Sequence, residues 1–201
     1  LWLAFGEDFG RTADLTVIAP LLIGRDLVRR TPFVVELSNV PFEQQRQILA
    51  YILDRVPRLQ AGAMDATGNG AYLAEVTAQR YGGHRIEEVK LSEGWYRENM
   101  PAFRAAFEDA TLEIPADSLI VDDLRAIQVI NGVARIPNNS RQNGRHGDAA
   151  IALALAYYAS RQDPAPIEYT PAPVKTSRWD AVETDDSDWL SDLPTTETGA
   201  W

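Results

Sequence analysis

The stretch Ala149 to Ala159, reading AAIALALAYYA, offers no polar face at any helical angle. A helix apolar all round must be covered on every side. Any fold this chain adopts therefore has to carry that segment through its interior. Asp148 comes with it, in the first turn, where the helix dipole favours the ionised carboxylate.

The rest of the chain supplies what could cover such a helix. Leu1 to Phe5 and Leu15 to Leu22 read as strands joined by a Gly6 to Asp14 loop, and Phe33 to Leu37 reads as a third strand. Pro41 opens a helix with Ile48, Leu49, Ile52, Leu53 and Val56 at amphipathic spacing. Gln60 to Met64 is a short buried strand running into Asp65. Gly70 to Tyr81 is a helix stopped by Gly82-Gly83, Ile86 to Leu91 a strand, and Trp95 to Ala110 a further helix. Asn131-Gly132 between apolar runs predicts a β-hairpin over Ala126 to Ile136. Strands cluster first and then alternate with helices. The expected class is α/β, a mixed β-sheet flanked by helices with a hairpin insertion.

Two domains are expected, a folded body over 1–162 and a Pro-rich, acidic tail over 163–201. The tail is read as disordered or extended, for it lacks the apolar density to fold alone. Its three isolated tryptophans, Trp179, Trp189 and Trp201, suit either a solvated segment or docking on a partner. Nine acids against Lys175 and Arg178 put most of the net charge of −10 in that tail, leaving a mildly acidic body whose basic residues are all arginine except Lys90. An arginine-rich body can carry a phosphate-facing strip despite the overall sign. With no Met at its start, the chain reads as a domain cut from a longer polypeptide. The absence of cysteine excludes disulfides, thiolate zinc sites and thiol nucleophiles. No apolar run is long enough to span a bilayer.

Three aspartates stand at the mouths of glycine-bearing turns: Asp8 before Gly10, Asp65 before Thr67-Gly68-Asn69-Gly70, and Asp148 after Gly144-Arg145-His146-Gly147. Each singly is also what an N-cap or turn residue looks like. Delivered together to one sheet edge, they are what a divalent metal site for phosphate chemistry requires, because magnesium takes hard oxygen ligands and phosphate supplies the rest. Three close carboxylates without metal would repel, raising the pKa of at least one. Glu7 alternates with Asp8 and is expected to face away from it. Asp122 and Asp123 read as helix-surface or cap residues.

The pattern Gly-x-Asp-x-Gly-Arg-x-x-Asp-x-Thr at Gly6 to Thr16, the Asp65-x-Thr-Gly-x-Gly turn, and His146-Gly-Asp148 before an alanine-rich helix resemble the nuclease domain of phage terminase large subunits, particularly the Mu-like branch. The likeness covers roughly residues 1–162. It implies a ribonuclease H-like fold and a metal-dependent endonuclease that cuts double-stranded DNA around viral DNA packaging. Asp8, Asp65 and Asp148 match the family's catalytic, metal-binding acids, holding two Mg²⁺ or Mn²⁺ ions, with Asp14 as a supporting candidate. Arg11, Arg141, Arg145 and His146 are the candidate DNA contacts. No Gly-x-x-x-x-Gly-Lys-Ser/Thr loop is present, so the N-terminal ATPase motor implied as a partner lies outside this chain. The portal or the small terminase subunit would be further partners, and the cytoplasm of an infected or lysogenic bacterial host the compartment.

Three other readings compete. Actin-like and sugar-kinase phosphotransferases also place Asp-x-Gly loops after early strands, but they need about twice this length and no acid leading a last helix. A cellular junction-resolving nuclease shares the fold and lacks the Gly-Arg-x-x-Asp-x-Thr loop. A non-catalytic packaging module would fit the negative charge but not three retained acids.

Overall fold

A computed structural model describes residues 1–10, 15–56, 58–137 and 147–162, all within one compact unit, Leu1–Ala165. In chain order the elements are β1 (Trp2–Asp8), β2 (Leu15–Ile23), β3 (Arg29–Arg30), β4 (Val35–Ser38), α1 (Phe42–Leu53), β5 (Leu59–Asp65), α2 (Gly70–Tyr81), β6 (Ile86–Val89), α3 (Glu93–Glu108), β7 (Leu112–Glu113), α4 (Ser118–Arg125), β8 (Gln128–Ile130), β9 (Val133–Arg135) and α5 (Asp148–Ala159). The tail 163–201, its tryptophans and its expected lack of structure lie outside the described residues.

Seven strands form one mixed sheet in the order β6-β5-β1-β2-β3-β7, with β4 also pairing β2. β1 pairs antiparallel with β2 and parallel with β5, which pairs parallel with β6. The hairpin β8-β9 is a separate two-stranded sheet, not an extension of the main sheet's edge. Its turn residues Asn131 and Gly132 both take positive φ, 51° and 78°, the backbone that lets a two-residue turn match the twist of its strands.

Alternation along β1 and β5 divides the core. Ala4, Ala61 and Ala63 pack with α5 and with Met100 and Phe103 of α3 on one face. Leu3, Phe5 and Met64 pack with Leu49 and Leu53 of α1 and Leu73 of α2 on the other. The apolar helix α5 lies directly on β1. A Cβ added to Gly6 would fall on the Ala152 carbonyl oxygen and the Ala156 amide nitrogen, and 2.9 Å from the Leu155 carbonyl carbon. Gly6 is thus the notch that admits the helix backbone, and the small residues of β1 and β5 around it keep the approach close.

Two expectations need correction. The third strand is β4, set slightly later than Phe33 to Leu37, and it is preceded by the two-residue β3. β3 is made of two arginines and has no apolar signature. The bounds of the helix α4 and the short β7 have no sequence signature either; at eight and two residues they are too short for periodicity to show.

Glu7 does face away from Asp8, as the alternation requires, and is fully buried on the α1/α2 side. Among the described residues neither carboxylate oxygen has a hydrogen-bond partner, and burial pushes its pKa up to about 8. The unfolded chain gives up this proton near 4.5 while the fold retains it to about 8. The contribution of Glu7 to stability is therefore greatest at low pH and is lost as pH rises between those values, by at most about 5 kcal/mol. Glu7→Gln is expected to flatten this slope and raise Tm at pH 8 while leaving pH 4.5 nearly unchanged. Thermal melts of both proteins across pH 4.5–8.5 check it, and parallel slopes would contradict it.

Candidate metal and phosphodiester site

Asp8 ends β1 and Asp65 ends β5. The parallel register runs Ala4↔Ala61, Gly6↔Ala63 and Glu7↔Met64, so its continuation sets Asp8 beside Asp65 on strands about 5 Å apart. Each lies two residues from a neighbour on the α5 face, Gly6 and Ala63, so both carboxylates belong to that face. The direction of α5 brings the third acid to the same edge. At the helix's far end, Gln60 Nε2, at the start of β5, donates to the Gln162 carbonyl at 3.3 Å, and Arg29 Nε donates to Ser160 Oγ at 2.7 Å. α5 therefore runs antiparallel to β1 and β5, and its N-terminus, with the buried Asp148, lies at the carboxyl ends of both strands. Among the described residues no three His, Cys, Asp or Glu side chains are gathered as ligands for one ion.

Local structure explains why these positions are rigid. After Asp8 the chain is pinned by Thr16: its Oγ1 accepts from the Gly10 amide at 2.9 Å and lies 2.8 Å from both the Gly10 carbonyl oxygen and Gln45 Oε1. Gln45 Nε2 in turn donates to the Val40 carbonyl at 2.7 Å. Thr16 and Gln45 are both buried. The threonine of the Gly6 to Thr16 pattern thus anchors the turn that follows Asp8. Gln45 went unread in the sequence. Its signal was a polar side chain four residues before Leu49, on the buried face of an amphipathic helix.

Asp65 Oδ1 accepts from the Thr67 amide at 2.9 Å, closing a local turn at the strand end. Its pKa is raised, as a crowded acid site predicts, but the cause differs. Burial is the largest contribution, and the hydrogen bonds from Thr67 pull the other way. No ion pair to Asp65 occurs among the described residues.

Of the two readings of Asp123, helix surface or cap, the structure takes the second: it is buried in α4, and its Oδ2 accepts from the Ala149 amide at 3.1 Å. It thereby satisfies one of the free N–H groups at the start of α5, a cap supplied across the fold instead of from the preceding residue. Asp122 is exposed and pairs with Arg125, as a helix-surface residue should. Of the remaining candidates, Asp14, Arg11, Arg141, Arg145 and His146 lie outside the described residues.

Tyr96 also belongs to this edge. It is half-buried in the first turns of α3, and its hydroxyl pKa is raised first by burial and then by the charges of Asp8 and Asp65, against a lowering by Arg135. Nothing in the sequence near Tyr96 or Arg135 marks either as a site residue; only the packing of α3 and β9 brings them in.

A scan against protein-family models finds no match. The chain is 43% identical over 188 residues to the Mu-like prophage FluMu protein gp28 of Haemophilus influenzae, covering 92% of this chain and 37% of that protein. It is 42% identical over 206 residues to the probable terminase large subunit gp28 of Escherichia phage Mu, covering 98% of this chain and 36% of that one. The chain thus spans little more than a third of the length of these curated relatives. The large terminase nuclease of thermophilic phage G20c, solved with bound magnesium, superposes with a TM-score of 0.62 at 21% identity, over 78% of this chain and 80% of that one. The large terminase nuclease domain of bacteriophage SPP1, solved with bound Mn, gives 0.54 at 13% identity, over 79% and 86%. These two likenesses establish a shared fold.

Proposed function

The chain is a homologue of Mu-like phage terminase large subunits with the ribonuclease H-like fold of large terminase nuclease domains, and from this we propose that it is a metal-dependent endonuclease domain cutting double-stranded DNA in packaging. The observation that carries the reading is the convergence of β1, β5 and the N-terminus of α5 on one edge, each bringing an aspartate.

The donor chemistry fits a hard divalent cation. Magnesium is commonly held by one or two carboxylates, with water and substrate phosphate oxygens completing its shell. An edge with two neighbouring strand-end carboxylates and a third acid on a helix suits that arrangement better than a closed protein cage would. Asp8 and Asp65 would hold the ions and Asp148 would complete the set; the bound metal of the related nucleases makes magnesium and manganese the ions to test first. Bound there, a divalent ion supplies a water of lowered pKa and neutralises phosphate charge.

The chain's own residues supply position. Thr16 and Gln45 fix the turn behind Asp8, and Thr67 fixes Asp65. Asp123 secures the helix start that carries Asp148. Burial raises the cost of an uncompensated charge on Asp65, which favours occupation of the edge by a cation.

Double-stranded DNA is the proposed substrate, and an ATPase motor on the same polypeptide the proposed partner, with portal and small subunit as further ones. The host cytoplasm would be the site of action; among the described residues no helix is long and apolar enough to cross a membrane. Incubation of supercoiled plasmid with the protein should yield nicked and linear forms with Mn²⁺ or Mg²⁺, none with EDTA, and none from Asp8→Asn. ATP hydrolysis without cleavage would favour the phosphotransferase reading. A protein that binds DNA or packaging components but leaves plasmid intact under every divalent ion would be the non-catalytic module.

A further inference from the structure

An edge built from acids repels the polyanion it is meant to cut, so a countercharge must meet the DNA there. The expected arginines fall outside the described residues, but the fold brings another. Arg135 is the last residue of β9 and is half-buried. The next residue, Ile136, packs against the residue that precedes Asp148: a Cβ on Gly147 would lie 2.7 Å from Ile136 Cδ1. Val133 is buried, and Ala134 and Ile136 pack into the cluster shared by α3 and α5. The hairpin's second strand is therefore fixed against the helix start that carries Asp148.

Arg135 makes no ion pair among the described residues. Among the same residues Arg30 and Arg80 pair with carboxylates while Arg29 and Arg58 do not; what marks Arg135 is its position. It is a cation whose strand is held in place by packing, on the side of the fold where Tyr96 feels both Asp8 and Asp65. Tyr96 reaches the same place from α3. That helix is capped by Ser92, whose Oγ accepts from the Trp95 amide at 3.2 Å. Ser92 follows Val89 by three residues, and Val89 is the β6 partner of Asp65. The Tyr96 ring is set edge-on to Trp95 at 5.4 Å, so the side chain has a rigid backing.

We propose that Arg135 and Tyr96 form a phosphate clamp beside the carboxylate edge: the Arg135 guanidinium pairs with non-bridging oxygens of a DNA phosphate, and the Tyr96 hydroxyl donates to the same group, orienting the strand against Asp8 and Asp65. This rests on the endonuclease reading. A planar guanidinium fork matches two phosphate oxygens at once, which an ammonium cannot do. A tyrosine hydroxyl ionises only at about pH 10, so at neutral pH it is a hydrogen-bond donor. A phenol in that state adds a directional hydrogen bond without adding negative charge to an edge that already has too much.

The test uses the full chain with Arg135→Gln, Arg135→Lys and Tyr96→Phe, each checked by thermal melt. Binding to duplex DNA is followed by fluorescence anisotropy in EDTA across a NaCl series. Arg135→Gln is expected to bind about tenfold more weakly, with the slope of log K against log[salt] reduced by about one. Arg135→Lys should restore the slope but not full cleavage. Tyr96→Phe should keep the slope, weaken binding up to about tenfold and lower kcat/KM for cleavage, with Tm unchanged. A wild-type salt slope in Arg135→Gln, or wild-type binding and cleavage in Tyr96→Phe, overturns the clamp. Failure of the unmutated protein to cleave with any divalent ion would sink the endonuclease reading instead, while the metal-free salt slope would still decide Arg135.

Discussion

Gly6→Ala is expected to destabilise the domain by about 3 kcal/mol or more, at the upper end of what an overpacked core costs. The added methyl group would meet the Ala152 carbonyl oxygen and the Ala156 amide nitrogen. These are backbone atoms of a helix, so no change of rotamer makes room. Relief would require α5 to lift from β1. That would open contacts of Ala4, Ala19 and Ala63 with Ala149, Ala152 and Ala156, all buried. For a domain of this size a loss of that order lowers Tm by roughly 6–12 °C. Calorimetry on the purified variant measures it directly. A shift of less than 2 °C would mean that the helix does not lie where the structure puts it. Because α5 also carries Asp148, cleavage should fall together with stability in this variant.

The second large effect separates function from folding. Asp65→Asn is expected to reduce metal-dependent cleavage by more than about 100-fold, beyond what losing an outer-shell partner of a metal ligand costs. Its stability should move the other way. Burial raises the Asp65 pKa, so above the unfolded value near 3.8 the ionised carboxylate costs the fold stability, and the neutral amide removes that cost. The metal-free variant should melt at or above the wild-type Tm at pH 7. Added Mn²⁺ should raise Tm of the wild type and have little effect on the variant. Plasmid cleavage and melts with and without Mn²⁺ give both readings. Retained cleavage would remove Asp65 from the site.

The architecture was legible where periodicity or turn chemistry is strong. The apolar run after Asp148 could only be an interior helix, Gly70–Tyr81 had its stop at Gly82, and Asn131-Gly132 could hardly be anything but a hairpin turn. β3 and β7 were invisible because two-residue strands depend on tertiary pairing, not on local pattern. For the site, the positions of Asp8, Asp65 and Asp148 at element ends could be read from the chain. Asp123 could not. A buried cap and an exposed acid look alike in sequence, and only the docking of α4 on α5 tells Asp123 from Asp122. Arg135 and Tyr96 escaped for the same reason, since their role depends on where a hairpin and a helix come to rest. A raised pKa on at least one of the three acids is expected from mutual repulsion; it falls on Asp65, where burial leads.

The helix that fills the middle of the molecule is also the arm that holds one of the acids. A site borne by surface loops can loosen long before its scaffold melts, but here amides in the first turns of α5 should exchange with solvent chiefly through opening of the whole body. Heat inactivation should accordingly coincide with global unfolding, leaving no intermediate temperature at which an intact shell houses a slack reaction centre.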